Sequence, residues 1–123
     1  MESNGLGVSD LGTNSEESVD YPDFGYKLSE VIAEGNCKFG IAICGSGIGI
    51  SIAVNRNKKI RAALCHNQEM AKLARQHNNA NVLVLGSRFI SDESAKDCVN
   101  VFLNTDFEGG RHQRRVEKLE IGY

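Results

Sequence analysis

The stretch Ile41-Ala42-Ile43-Cys44-Gly45-Ser46-Gly47-Ile48-Gly49-Ile50 constrains this chain more than any other. A short β-branched run stops at a thiol, and a glycine-interrupted turn leads into a small-residue helical segment. That order predicts a buried strand that carries Cys44 to the mouth of a helix. Glycines at 45, 47 and 49 allow positive φ and let another molecule's oxygens come close to the main chain. Free N–H groups at a helix start suit an anion, and a cysteine beside them is the kind whose thiolate is stabilised. The segment departs from the dinucleotide fingerprint and lacks the Lys-Ser/Thr ending of a phosphate-binding P-loop. Read by itself it is as compatible with an ordinary strand-to-helix turn as with catalysis.

A chain of 123 residues supports one domain with a real core. The net charge of −2 argues against nucleic acid or an acidic membrane surface as partner. The charge is uneven, however. Only acidic side chains occur up to Asp23, whereas Arg111, Arg114, Arg115 and Lys118 crowd the far end, where an anion would be drawn. No apolar run approaches the roughly 20 residues of a membrane span and no signal-peptide core follows Met1, so a cytoplasmic location is expected. Cys37, Cys44, Cys65 and Cys98 show no metal-ligand spacing. Three of them read as small core residues, and only Cys44 opens a glycine turn.

Along the chain, Leu6, Val8 and Leu11 alternate weakly as a short strand, and Asp20-Tyr21-Pro22-Asp23 starts a helix. Phe24, Leu28, Val31 and Ile32 recur at helical spacing until Gly35-Asn36. Strands are expected over Phe39–Cys44, Ile60–Cys65 and Val82–Leu85, the last apolar throughout and so buried on both faces. Helices are expected over Ile50–Asn55, over Gln68–His77 with Met70, Leu73 and Ala74 facing inward, and over Arg111–Ile121. A further helix is capped by Ser91, carries Asp92 and Glu93 in its first turn, and buries Ala95, Cys98, Val99 and Phe102. Strand and helix alternate, so the class is α/β with a mostly parallel sheet. Ligands of such sheets sit beyond the carboxyl ends of the strands, a rule that gathers Cys44–Gly49, Cys65-His66-Asn67 and Gly86-Ser87-Arg88 on one rim.

Six separated motifs then fall in the order found in a known family: Val19-Asp20-Tyr21-Pro22-Asp23, Cys44 to Ser51, Ile60 to Cys65, Arg75-Gln76-His77-Asn78 with Asn81-Val82-Leu83, Leu85-Gly86-Ser87-Arg88, and Phe107 to Arg115. In these motifs the chain resembles the ribose-5-phosphate isomerase B family, which includes the galactose-6-phosphate isomerase subunits. The resemblance runs from about Val8 to Glu120 and implies a three-layer α-β-α, Rossmann-like fold. It also implies interconversion of aldose and ketose phosphates through a cis-enediolate, within the pentose phosphate pathway, with no metal or organic cofactor.

By that resemblance Cys44 is the base that moves a proton between C1 and C2. Ile50 stands where a second branch of the family carries a glutamate. Ser46 and the turn's amides, with Gly45, Gly47 and Gly49, would stabilise the enediolate oxygens. His77 matches the residue that opens the sugar ring, and Asn78 a neighbour that holds sugar hydroxyls. Taken alone, His77 continues the face of Met70, Leu73 and Ala74 and reads as a partly buried core histidine; the Arg-Gln-His-Asn context favours the functional role. Arg111 and Arg115 lie at i and i+4, a spacing that suits either a solvated basic face or two guanidinium forks on one phosphate; Gly109-Gly110 ahead of them and the resemblance favour the phosphate. Arg88 and Tyr21 match further substrate-side positions. His66 and His112 gain no such support. In the family His77, Asn78 and the arginine pair come from a neighbouring subunit, which implies a homodimer, often paired into tetramers, without nucleic-acid or membrane partners.

The family begins with a strand and helix ahead of the region matching Leu6–Leu11, and that strand ends in an Asp-His-Ala-Gly-like motif. With an expected strand order of 2-1-3-4-5 the first strand is internal. Residues 1–123 are therefore expected to be one N-terminally shortened isomerase domain, impaired or inactive as it stands. Its sheet would be completed by Gly5–Leu11 sliding inward or by a partner chain. Two alternatives accompany the ribose 5-phosphate reading: a hexose 6-phosphate isomerase of galactose or allose type, and a non-catalytic sugar-phosphate-binding remnant.

Overall fold

The computed structural model describes residues 20–122; the expected strand at Leu6–Leu11 lies outside them. Eight elements follow in order: α1 (Tyr21–Ala33), β1 (Gly40–Cys44), α2 (Ile48–Val54), β2 (Ala62–Leu64), α3 (Gln68–Asn78), β3 (Val82–Gly86), α4 (Asp92–Asn104) and α5 (Arg111–Ile121). Their starts and stops follow local chemistry. Pro22 sits in the first turn of α1, where a missing N–H costs nothing, and Gly35 turns the chain away at φ 83°. The side chain of Asn67 accepts from the Met70 N–H and that of Ser91 from the Ser94 N–H, capping α3 and α4. Helix α2 begins at Ile48, two residues before the expected start, because Gly47 takes the left-handed conformation (φ 79°) and releases the chain into the helix there.

All three strands are parallel, with Gly40 opposite Val82, Cys44 opposite Gly86, and Ala62 opposite Val82. Their order is β1-β3-β2, which corrects the expected 2-1-3-4-5 order, in which successive strands at this end of the sheet are neighbours. The physical reason lies in β3. Val82, Leu83, Val84 and Leu85 are apolar on both faces and fully buried, so they take the middle slot, while the half-buried Ala62-Ala63-Leu64 takes an edge. Strand β2 is also shorter than expected. At its start Asn55 accepts the Ala62 N–H through Oδ1 (2.7 Å) and donates to the Ala62 carbonyl (3.1 Å), so among the described residues a side chain meets that edge.

The two faces of β3 define two cores, giving the three layers. Val82 and Val84 pack with Ile32, Ala42, Ile50, Val54 and Ile60 beneath α1 and α2. Leu83 and Leu85 pack with Cys65, Ala71, Ala74, Cys98 and Phe102 beneath α3 and α4. The stripe on α4 is as expected, with Cys98 and Phe102 at its centre. The face of α3 is not. Met70 and Leu73 are each 38% exposed, and the buried residues are Ala71, Ala74 and Arg75. Alanines let α3 approach α4 closely. Arg75, only 5% exposed, is accommodated by donating to the carbonyls of Thr105 (3.0 Å) and Ala80 (2.6 Å) and to Asn79 Oδ1 (2.9 Å). Its guanidinium also lies 4.9 Å from the Phe39 ring centre. No helix among the described residues is long and apolar enough to cross a membrane.

Candidate active site

Cys44 is the last residue of β1 and is half-buried, at the carboxyl rim of the sheet as expected. The loops after β1 and β3 are bonded together above it. Ser87 N–H donates to the Cys44 carbonyl (2.8 Å) and Arg88 N–H to that of Gly45 (3.0 Å). This closeness explains several glycines. A Cβ on Gly86 would lie 2.3 Å from the Ser46 carbonyl oxygen, and one on Gly49 would lie 2.5 Å from the Tyr21 ring. A Cβ on Gly45 would come within 3.2 Å of Arg88 Nε, so the guanidinium lies over the turn. Ser46 Oγ accepts from the Ile48 N–H (3.2 Å) at the opening of α2. Close backbone approach thus brings Cys44, Gly45, Ser46, Gly47 and Gly49 together, and the side chains of Tyr21 and Arg88 lie over them. Beside them lies a cavity of about 340 Å³ lined by Ser46, Ile48, Leu64, His66 and Phe89.

Cys65 and Cys98 are interior thiols. Burial, then the neighbouring Cys98, pushes Cys65 up to about 12, and burial followed by Asp97 raises Cys98. Both sulfurs are protonated core atoms. Cys37, half-buried, packs against the α1–α2 side of the sheet.

His77, Asn78, Arg111 and Arg115 form a second group elsewhere. Helix α3 leaves the rim after Cys65 and runs back for about 16 Å at 1.5 Å per residue, so its last turn stands by the amino ends of the strands. There Glu108 N–H donates to the Gln76 carbonyl (3.0 Å), which fixes the loop that launches α5. At the other end of α5, Glu120 pairs with Arg61 just ahead of β2 (2.6 Å). Within one chain, therefore, the imidazole and arginine pair lie at the edge opposite Cys44. Arg111 and Arg115 are exposed one turn apart on α5.

Two residues at this edge escaped the sequence reading. The rings of His77 and His112 stack at 4.2 Å between centroids and 14° between planes, and Glu108 Oε1 stands 3.9 Å and 3.7 Å from their Nε2 atoms. Glu108 and His112 are spaced i and i+4 across a helix start, a signal readable in the sequence. The pairing with His77 is tertiary and has no such signal. His66, which the sequence presents only as a strand-end residue, lines the cavity and meets Phe89 edge-on at 6.2 Å.

Donor atoms of His77, Glu108 and His112 lie within 4.8 Å of one another, close enough to ask whether they hold a cation. An ion must lie in the plane of each imidazole that binds it. Two stacked, nearly parallel planes meet only far outside the site, so the arrangement does not fit a metal. Burial and the adjacent His77 lower the proton affinity of His112, with Arg111 acting in the same direction and Glu108 opposing.

The chain is similar to known proteins over nearly its whole length. The Ribose/Galactose Isomerase family model matches residues 1–119. Ribose-5-phosphate isomerase B of Escherichia coli is 47% identical over 115 residues, covering 94% of this chain and 77% of that protein. The crystal structure of a ribose 5-phosphate isomerase from Thermotoga maritima superposes with a TM-score of 0.95 at 52% identity, covering 98% of this chain and 83% of that one. The Mycoplasma genitalium enzyme with bound ribulose 5-phosphate gives 0.93 at 43% identity, covering 98% and 80%. With a family model matched over nearly the whole chain, and relatives 47% and 52% identical over most of both lengths, the chain belongs to the ribose/galactose isomerase family.

Proposed function

We propose that the chain interconverts ribose 5-phosphate and ribulose 5-phosphate. Cys44 removes the C2 proton of the open-chain aldose and delivers it to C1, through a cis-enediolate whose oxygens face Ser46 and the turn's amides. The single observation that carries this reading is the half-buried thiol at the end of β1, beside the Gly45-Ser46-Gly47 turn and under Arg88. Relatives named ribose-5-phosphate isomerase B, one solved with ribulose 5-phosphate, support the substrate class. A thiol suits the task because its proton affinity can be brought close to the working pH, which favours transfer in both directions.

The opposed placement of the two residue groups supports a shared site. His77 opens the sugar ring, Asn78 holds its hydroxyls, and Arg111 with Arg115 grips the phosphate, all reaching the Cys44 of a second copy. Ile48 and Ile52 point one way from α2 and are 55% and 61% exposed, and Phe89 is 63% exposed, so apolar surface for that copy borders the cavity. On this reading residues 1–123 are a single sugar-phosphate isomerase domain that works as a homodimer or dimer of dimers. Its place is the cytoplasmic pentose phosphate pathway.

Solvent-deuterium incorporation at C2 of ribose 5-phosphate tests the proposal. The chain should label C2, and Cys44→Ala should lower the rate about 10³-fold while phosphate binding persists. Undiminished labelling by the alanine variant would overturn the role of Cys44. Labelling of a hexose 6-phosphate but not of ribose 5-phosphate would move the substrate class.

A further inference from the structure

The stacked pair at the amino edge of the sheet has more structure than a lone ring-opening histidine requires. His77 is partly exposed at the end of α3, whereas His112 is buried at the start of α5. Between them Glu108 projects a single oxygen toward both Nε2 atoms, at 3.9 Å and 3.7 Å. Its backbone is fixed by the Gln76 carbonyl, and His112 N–H is fixed by that of Gly109 (3.0 Å). The carboxylate is half-exposed, so a small side-chain rotation brings its oxygen into hydrogen-bond range of either ring. Two stacked imidazoles cannot both carry charge at low cost, and the buried ring is the one that stays neutral. The remaining charges facing the pair are Arg111 and Arg115 from α5, which draw an anion rather than compete for an N–H.

We propose that Glu108 and His112 are positioning residues for His77. Glu108 accepts the ring's Nε2–H, and the stacked His112 ring fixes its plane, so that Nδ1 is the nitrogen presented to the sugar. This rests on the assignment of ring opening to His77. The step balances without any further reactant: Nδ1 takes the proton from O1, the C1–O4 bond breaks as the C1=O1 bond forms, and the same nitrogen returns the proton to O4. A histidine free to flip or to carry its proton on Nδ1 would lack the lone pair that begins this sequence.

Ribulose 5-phosphate separates this role from a structural one. Its 5-oxygen carries the phosphate, so it has no furanose form, and solvent exchange at its C1 needs Cys44 chemistry but no ring opening. In Glu108→Ala, turnover of ribose 5-phosphate should fall about tenfold or more while C1 exchange on ribulose 5-phosphate stays within about twofold. Glu108→Gln, whose amide oxygen still accepts an N–H, should lose less. Long-range ¹⁵N NMR of the imidazoles should show His77 as the Nε2–H tautomer in the parent chain and as a tautomer mixture in Glu108→Ala. Exchange that falls in step with turnover would overturn the proposal, as would an unchanged tautomer. Absence of C1 exchange in the parent chain would instead defeat the isomerase reading, and the NMR result would still decide the positioning role.

Discussion

The carboxyl rim of the sheet and its amino edge hold the two halves of the candidate site, and they are built by different means. At the rim, loops approach so closely that glycine is required, and main-chain amides, the Ser46 hydroxyl and the Cys44 thiol gather there under the Tyr21 ring and the Arg88 guanidinium. At the amino edge the groups are long side chains from α3, α5 and the loop between α4 and α5, held by a buried arginine and a stacked histidine pair. Backbone placement suits an oxyanion that develops at a fixed point, because the donors need no reorganisation as charge appears. Side-chain placement suits a phosphate and a hydroxylated ring, which must enter and leave. The difference teaches that one chain carries both kinds of groups at opposite ends of its sheet, which is why the proposed shared site calls for two copies facing each other.

Breaking the amino edge should have the larger effect on stability. Arg75→Met fits the apolar contacts to Phe39 and Phe102 but leaves the Thr105 and Ala80 carbonyls without donors. A loss of about 2–4 kcal/mol is expected, read as a lower midpoint in urea with an unchanged slope. A cost under about 1 kcal/mol would show that water replaces the guanidinium there. At the rim, Gly86→Ala places a methyl against the Ser46 carbonyl and should cost about 1–3 kcal/mol by overpacking. Because the strain falls on the turn that carries Ser46, turnover should drop further than stability, whereas a variant that kept full activity would show that the turn is not held by this contact.

The rim was legible in the sequence because its signals are local. A β-branched run, a thiol and alternating glycines fix a strand, its end and a close turn, and the switch from strand to helix puts them on the ligand side. The caps at Ser91 and the stop at Gly35 were legible for the same reason. Sheet order was not, since adjacency depends on which strand is most apolar relative to the others, and β3 took the centre. The inward face of α3 is not legible from residue size, which points Met70 and Leu73 inward where the fold leaves them partly exposed. Close packing on α4 selected alanines, and Arg75 was buried by carbonyls that only the folded chain assembles. Glu108 and His112 became visible as partners of His77 only once α5 lay beside α3.

Complementation between two inactive variants tests the central claim most directly. Cys44→Ala and His77→Asn, each expected to turn over ribose 5-phosphate far more slowly than the parent chain, are unfolded together in equal amounts, refolded and assayed. If sites are shared in a dimer, random pairing makes about half the dimers mixed, each with one intact site, and about a quarter of the parent activity returns. Activity no higher than that of either variant alone would mean that Cys44 and His77 do not meet across two chains, and would contradict the account.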